Sequence, residues 1–445
     1  MALVNKGSSV QRTHPLLYWM TVAYIVGLPN VLQFDNTGRT HEFGLFNITS
    51  IGRIALTLLT AYVLTINLAM SRGPIFPRKV KIPTTAWISL LVWCIIATIL
   101  QPASRLSPHL ATDLPLSLFR LGEWVLAFIL CIALYTREPA KRELALVIEL
   151  IGRSSWITIL MVWIAWPFAP SLVYGITDEP GSITQLGGVF VTPAELAFHA
   201  SCAFLYTLFF FKRPYSRWLG CSLCIITLVL TRARTPLVGF VVALGCYALV
   251  YSRKPAVRWA TVGLLAAIAS VVAAFSKLIV AYLARGQDFR TIASLDNKVP
   301  VWQACWAAIK QRPILGYGYI IGAKNTIRDH WLYPSQWIPP HAHNDLIQAA
   351  LQVGLPACLI LIYLYIWLLI KCVKTARVSR EHLFLFLLVI QLTVIAITGM
   401  VLSYTFSSLG AVLILCYLGF SRHDERPIRA WEISSQRSAA FATTR

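Results

Sequence analysis

Seven residues of this 445-residue chain, Pro339-Pro340-His341-Ala342-His343-Asn344-Asp345, stand directly before a long apolar run. A neutral imidazole beside a helix start suits a general base working near neutral pH. Asn344 or Asp345 can cap and orient that helix. The competing reading makes His341 and His343 structural. As a metal pair they would need further ligands, and the flanking residues offer no cysteine pair or acidic cluster, so no metal and no cofactor is expected. A second constellation is Thr231-Arg232-Ala233-Arg234-Thr235-Pro236, two arginines in a tight turn between apolar segments. Guanidinium forks fit phosphate oxygens; the alternative is two side chains snorkelling to lipid headgroups. A third is the basic surplus within 281–344, where Arg285, Arg290, Lys298, Lys310, Arg312, Lys324 and Arg328 face only Asp288, Asp296 and Asp329. As a group these cations look like an anion site. Long loops also cross membranes largely regardless of charge, and that is the bland account of the same residues.

The elements that must position these groups are membrane helices. The chain is 57% hydrophobic and only 13% charged, too little charge to cover a water-soluble surface. Apolar runs near the roughly 20 residues that span a bilayer recur near 15–33, 48–70, 84–101, 115–135, 144–168, 191–211, 217–231, 236–250, 256–280, 346–370, 382–401 and 404–420. The expectation is an all-α polytopic membrane protein of about 12 transmembrane helices. Residues 1–280 hold nine helices, 281–345 form one long outer loop containing short helices, 346–420 hold three more, and 421–445 form a tail. The first 20 residues lack a compact cleavable pattern, so Pro15–Leu32 reads as a retained anchor. Alternate loops collect most of the 39 Lys and Arg residues, which puts both termini in the cytoplasm and 281–344 outside. The formal charge of +21 is mostly this orientation signal, so nucleic acid is not an expected partner.

Within the outer loop, Trp302, Cys305, Trp306 and Ile309 recur at helical spacing, predicting a short amphipathic helix over 300–312. Gly316-Tyr317-Gly318 then makes a turn. Trp302, Trp306, Trp331 and Trp337 read as interfacial anchors or as sugar-stacking platforms. Asp178-Glu179 reads as a solvated turn. Most of the ten cysteines lie within spans, where they act as small apolar residues. Arg120 and Glu123, three apart on one helix, are expected to pair; with Arg153, Glu195 and His199 they line a cavity or bond internally.

Taken together, these motifs resemble the bacterial O-antigen ligases and the related polymerases. The pair His343-Asn344, nine residues and then Gly354 is similar to the family signature, with Ala357 where the family usually shows Gly, Thr or Tyr. Arg234 resembles its Ser-Arg element, Asn297-Lys298 followed by Trp302 resembles its Gly-Arg…Trp element, and Pro313-Ile314-Leu315-Gly316-Tyr317-Gly318 resembles its Pro-x-Leu-Gly-x-Gly turn. The resemblance covers roughly 190–420. It implies a GT-C-like glycosyltransferase of the bacterial inner membrane with its active site facing the periplasm. The donor it implies is a glycan on undecaprenyl pyrophosphate, and the acceptor a hydroxyl of lipid A–core, both presented among membrane lipids. Arg232, Arg234, Arg290 and Lys298 would then hold pyrophosphate, and His343 or His341 would take the acceptor's proton. An O-antigen or exopolysaccharide polymerase shares donor and motifs. A protein oligosaccharyltransferase is a further relative. A secondary transporter is the alternative from another class; its internal symmetry is not visible in this sequence.

Overall fold

In a computed structural model the described residues are 15–26, 48–69, 83–100, 110–137, 142–175, 184–187, 191–251, 255–256, 258–259, 262–263, 298–331, 339, 341–402 and 407–421. Most of the predicted span over 256–280, the residues Asp178-Glu179, Arg285, Arg290 and Trp337, and the tail beyond 421 lie outside them.

Lipid offers no partner for backbone N–H and C=O groups, so an apolar run that enters it must bond internally as a helix. The helices are α1 (Pro15–Ile25), α2 (Ile48–Ala69), α3 (Pro83–Ile99), α4 (Leu110–Arg137), α5 (Glu143–Ala165), α6 (Pro193–Phe210), α7 (Pro214–Thr231), α8 (Arg234–Cys246), α9 (Lys298–Gln311), α10 (Ile321–Asp329), α11 (Asp345–Thr375), α12 (Arg380–Thr398) and α13 (Ser408–Ser421). Local chemistry sets their starts. Thr192 accepts from the Glu195 N–H at 3.2 Å and Ser379 from the His382 N–H at 3.3 Å, each satisfying an orphan donor of a first turn. Pro193 and Pro214 occupy positions where a missing N–H costs nothing.

Among the described residues five helices are long and apolar enough to cross a membrane, within α4, α5, α7, α11 and α12, and four shorter apolar helices accompany them. Tyr215, Trp218 and Leu219 on α7 are 78%, 76% and 61% exposed. Side chains that apolar do not face water in such numbers, so this surface meets lipid. The chain is an all-α membrane protein; the two-residue ladder Tyr174–Gly175 with Gln185–Leu186 does not alter its class. The predicted pair forms inside it, with Arg120 Nη1 3.2 Å from Glu123 Oε2 and both side chains buried.

One large apolar core fills the helix bundle. A second, smaller core holds Val301, Cys305, Ile309, Tyr317, Ile327, Trp331 and Leu351, so the loop helices α9 and α10 are packed against the head of α11. The predicted amphipathic helix is therefore present as α9, with Cys305 and Ile309 of its stripe turned toward protein and Trp306 outward. Burial pushes the Cys305 thiol up to about 12, which keeps it protonated and unreactive.

The joint between loop and bundle is a kink in α11. Pro356 has no N–H to return to Gln352, and Leu355 N–H is diverted to Pro313 O at 2.7 Å. The freed carbonyls of Leu351 and Gln352 accept from Tyr317 N–H at 3.0 and 3.1 Å, and Gln352 O also from Gly318 N–H at 2.7 Å. Trp93 Nε1 donates to Val353 O at 2.8 Å. A proline-freed helix turn is thus re-satisfied by the Pro313–Gly318 turn. Gly354 makes the approach possible: its φ is +85°, and an added Cβ would lie 1.8 Å from Ile314 O.

Candidate functional site

Three helices begin where α12 ends. Lys298, the first residue of α9, donates from Nζ to Thr398 O at 2.8 Å. Thr235, in the first turn of α8, shares a 2.9 Å hydrogen bond between its hydroxyl and that of Thr398. Asn344, the cap of α11, donates from Nδ2 to Ile397 O at 2.8 Å. The last carbonyls of a helix are orphans carrying partial negative charge, so the end of α12 is a natural anchor for a lysine and an amide. The starts of α8, α9 and α11 carry the opposite polarity, and their junction is electropositive.

Asn344 performs the predicted capping, its Oδ1 accepting from Leu346 and Ile347 N–H at 3.0 and 2.9 Å. Asp345 does something else. Its buried carboxylate accepts from Val401 and Leu402 N–H at 3.0 and 3.1 Å through Oδ1, and from the Tyr365 hydroxyl at 2.8 Å through Oδ2. It ties the segment after α12 to the start of α11 and orients the junction from below.

His341 and His343 meet edge-on, ring centroids 4.1 Å apart. Between them the Ala342 carbonyl accepts from Trp302 Nε1 at 2.8 Å, and the Ala342 N–H donates to Gln348 Oε1 at 2.7 Å. His343 has φ +51°, a left-handed conformation that a residue with a Cβ rarely adopts. Burial and the Lys298 charge lower the His341 pKa to about 4, and burial, His341 and Lys298 together hold His343 well below the ordinary histidine value. Both rings are neutral at neutral pH, as a proton acceptor must be.

Arg232 ends α7 with φ +51°, and Arg234 opens α8, one residue before the Thr235 link to α12. The turn between α7 and α8 is as tight as predicted, and both arginines are half-buried. The structure therefore brings together Lys298, His341, His343, Asn344 and the α8 start that carries Arg234; Arg290 lies outside the described residues. Among the other loop cations, Arg312 sits over the Tyr317 ring at 5.4 Å and Arg328 lies 3.8 Å from Asp329. Among the described residues no three His, Cys, Asp or Glu side chains gather.

Three participants escaped sequence reasoning. The Ile397 and Thr398 carbonyls have no side-chain signature, and Gln348 reads as an ordinary helix residue. Trp302 reads there as an anchor or a stacking platform, whereas here its N–H serves the histidine turn; Trp331 is buried in the small outer core and Trp306 is exposed. Beside the kink a small apolar cavity lies among Trp87, Leu90, Leu121, Trp124, Tyr319 and Gln352.

A comparison with curated proteins finds no match. Residues 219–362 match the family model described as O-Antigen ligase, a segment that contains Arg232, Arg234, Lys298, His341, His343 and Asn344.

Proposed function

We propose that this protein is an inverting, metal-independent glycosyltransferase that moves a preassembled glycan from undecaprenyl pyrophosphate to a sugar hydroxyl of lipid A–core. The reaction belongs at the periplasmic face of the bacterial inner membrane, in a GT-C-like frame of about twelve spans. The observation that carries the reading is the junction itself: a neutral histidine pair, Lys298 and the Arg234-bearing start of α8 meet at one helix end, all within the family-matched segment.

The chemistry follows from the charges. Pyrophosphate is a good leaving group, so the site needs to hold growing negative charge more than to protonate it. Lys298 and Arg234 supply that charge beside the positive ends of three helices. The acceptor hydroxyl oxygen attacks the anomeric carbon, the bond from that carbon to the phosphate oxygen breaks, and the electron pair leaves with undecaprenyl pyrophosphate. His343 takes the hydroxyl proton, with His341 as the alternative base. Burial, His341 and Lys298 together hold the imidazole neutral; a bound diphosphate offsets the Lys298 charge and makes the same ring a stronger base during the reaction. Arg290 and Arg232 are assigned to the pyrophosphate with Lys298 and Arg234. The apolar cavity beside the kink suits a substrate that arrives on a lipid chain.

The test is reconstitution of purified protein with undecaprenyl pyrophosphate glycan, with and without lipid A–core, read by gel mobility of the products. A core-linked glycan of unchanged length is expected. Lengthened lipid-linked glycan without a core conjugate would make the protein a polymerase.

A further inference from the structure

We propose that Gln348 and Trp302 are positioning residues for the base, acting through the two peptide units that flank Ala342; the inference rests on the reading of His343 as that base. Ala342 is fully buried, and both of its polar backbone groups are spoken for by side chains from different helices. Trp302 of α9 donates to its carbonyl at 2.8 Å, and Gln348 of α11 accepts from its N–H at 2.7 Å. The two bonds hold the peptide units on either side of the Ala342 Cα, the N–H of His341–Ala342 and the carbonyl of Ala342–His343. The next residue is His343, held at φ +51°, and a turn containing such a residue relaxes unless its surroundings fix it.

Gln348 is a poor choice for packing alone. It is fully buried, and its Nε2 has no acceptor among the described residues. A half-bonded buried amide is costly beside an apolar residue of the same size, so the position is explained by the bond its oxygen makes. Trp302 has the same character: an apolar ring that fills space, with one N–H aimed at the histidine turn. Because the imidazole of His343 must meet one hydroxyl at one angle, a small rotation of either peptide flanking Ala342 misplaces it, and misplacement by about 1 Å is enough to cost roughly a hundredfold in rate.

The experiment compares Gln348→Leu, Trp302→Phe and the double variant in the lipid-linked glycan transfer assay, with thermal unfolding in detergent as the folding control. Each single variant is expected to lower kcat by roughly tenfold to a hundredfold while KM for donor and acceptor stays within about threefold. The double variant is expected to lose little more than the worse single, since both changes free the backbone flanking one residue and misplace the same imidazole. Trp302→Phe keeps an aromatic side chain while removing the N–H donor with the five-membered ring that bears it, so it decides the matter if Gln348→Leu does not fold. Unchanged kcat in Trp302→Phe, a rise in KM alone, or losses that multiply in the double variant would overturn the proposal. His343→Ala in the same series separates the two claims. If it is inactive while Trp302→Phe is normal, the clamp is wrong and the base stands; if His343→Ala is active, the base assignment itself has failed.

Discussion

The ammonium of Lys298 sits on the carbonyl of Thr398, 2.8 Å away and one hundred residues along the chain. That bond fastens the loop helix α9 to the end of α12. It also leaves a cation beside two histidines, lowering their proton affinity. Under the proposed function one residue thereby serves as a structural tie, an electrostatic control on the base and a ligand for the diphosphate.

Lys298→Gln separates these roles. The amide can still donate toward Thr398, so the fold should persist with an unfolding temperature close to that of the parent. Donor binding should weaken about tenfold, the scale of one charge-assisted contact, and lose part of its salt dependence. Titration of undecaprenyl pyrophosphate glycan at two ionic strengths measures both effects. Unchanged affinity would remove Lys298 from the diphosphate site.

The pH dependence has a defined sign. A base works when unprotonated, and the His343 pKa is depressed, so kcat/KM should stay level as pH falls past about 6.5, the ordinary histidine value. It should decline only on further acidification. In Lys298→Gln a depressing charge is gone, and the acid limb should move up toward neutrality. Stability shares the window. The unfolded chain takes up protons near 6.5, while folded His341 resists until about 4, so stability should fall as pH drops between those values. A profile whose acid limb lies above 6.5 in the parent protein would contradict the assignment.

The kink makes a structural prediction. Gly354→Ala imposes a side chain on a φ of +85° and drives its Cβ onto Ile314 O. A loss of about 3 kcal/mol is expected from strain and displaced packing, together with loss of transfer, because the Pro313–Gly318 turn carries α9 and α10. Pro356→Ala should cost less, since it restores an N–H without adding bulk. Equal unfolding temperatures for Gly354→Ala and the parent would refute this account of the joint.

Transfer should be indifferent to chelation. The charge that a divalent ion would neutralise is assigned to lysine and arginine side chains. Turnover in EDTA equal to that in magnesium is the expected result; loss in EDTA with recovery on adding magnesium or manganese would require a metal in the site.

Much of this was legible in the residues because helix chemistry is local. Apolar run lengths locate helices among the described residues, including the short pair α7 and α8, and the three-residue spacing of Arg120 and Glu123 predicts their pairing. Asn344 before an apolar run predicts a cap, and it caps. What could not be read depends on distant backbone. Nothing in the sequence marks Ile397 and Thr398 as the anchor for three helix starts, because any residue type has a carbonyl there. Asp345 next to a helix start reads as the alternative cap, yet its carboxylate is taken by the Val401 and Leu402 amides after α12. Trp302 has the aromatic character of an interfacial anchor, and only its partner, the Ala342 carbonyl, shows otherwise.

The central claim is that His343 accepts the hydroxyl proton while cations hold the diphosphate, so the two kinds of residue should fail differently. The most direct measurement is a single-turnover transfer assay, paired with donor binding, on His343→Ala and Arg234→Ala. His343→Ala should lose transfer by about a thousandfold and bind the lipid-linked donor within about threefold of the parent, since a base acts chiefly in the transition state. Arg234→Ala should weaken binding and transfer together, and Arg234→Lys should recover only part, because a point charge does not replace a fork. Near-normal transfer by His343→Ala would contradict the account and shift the search for the base to His341.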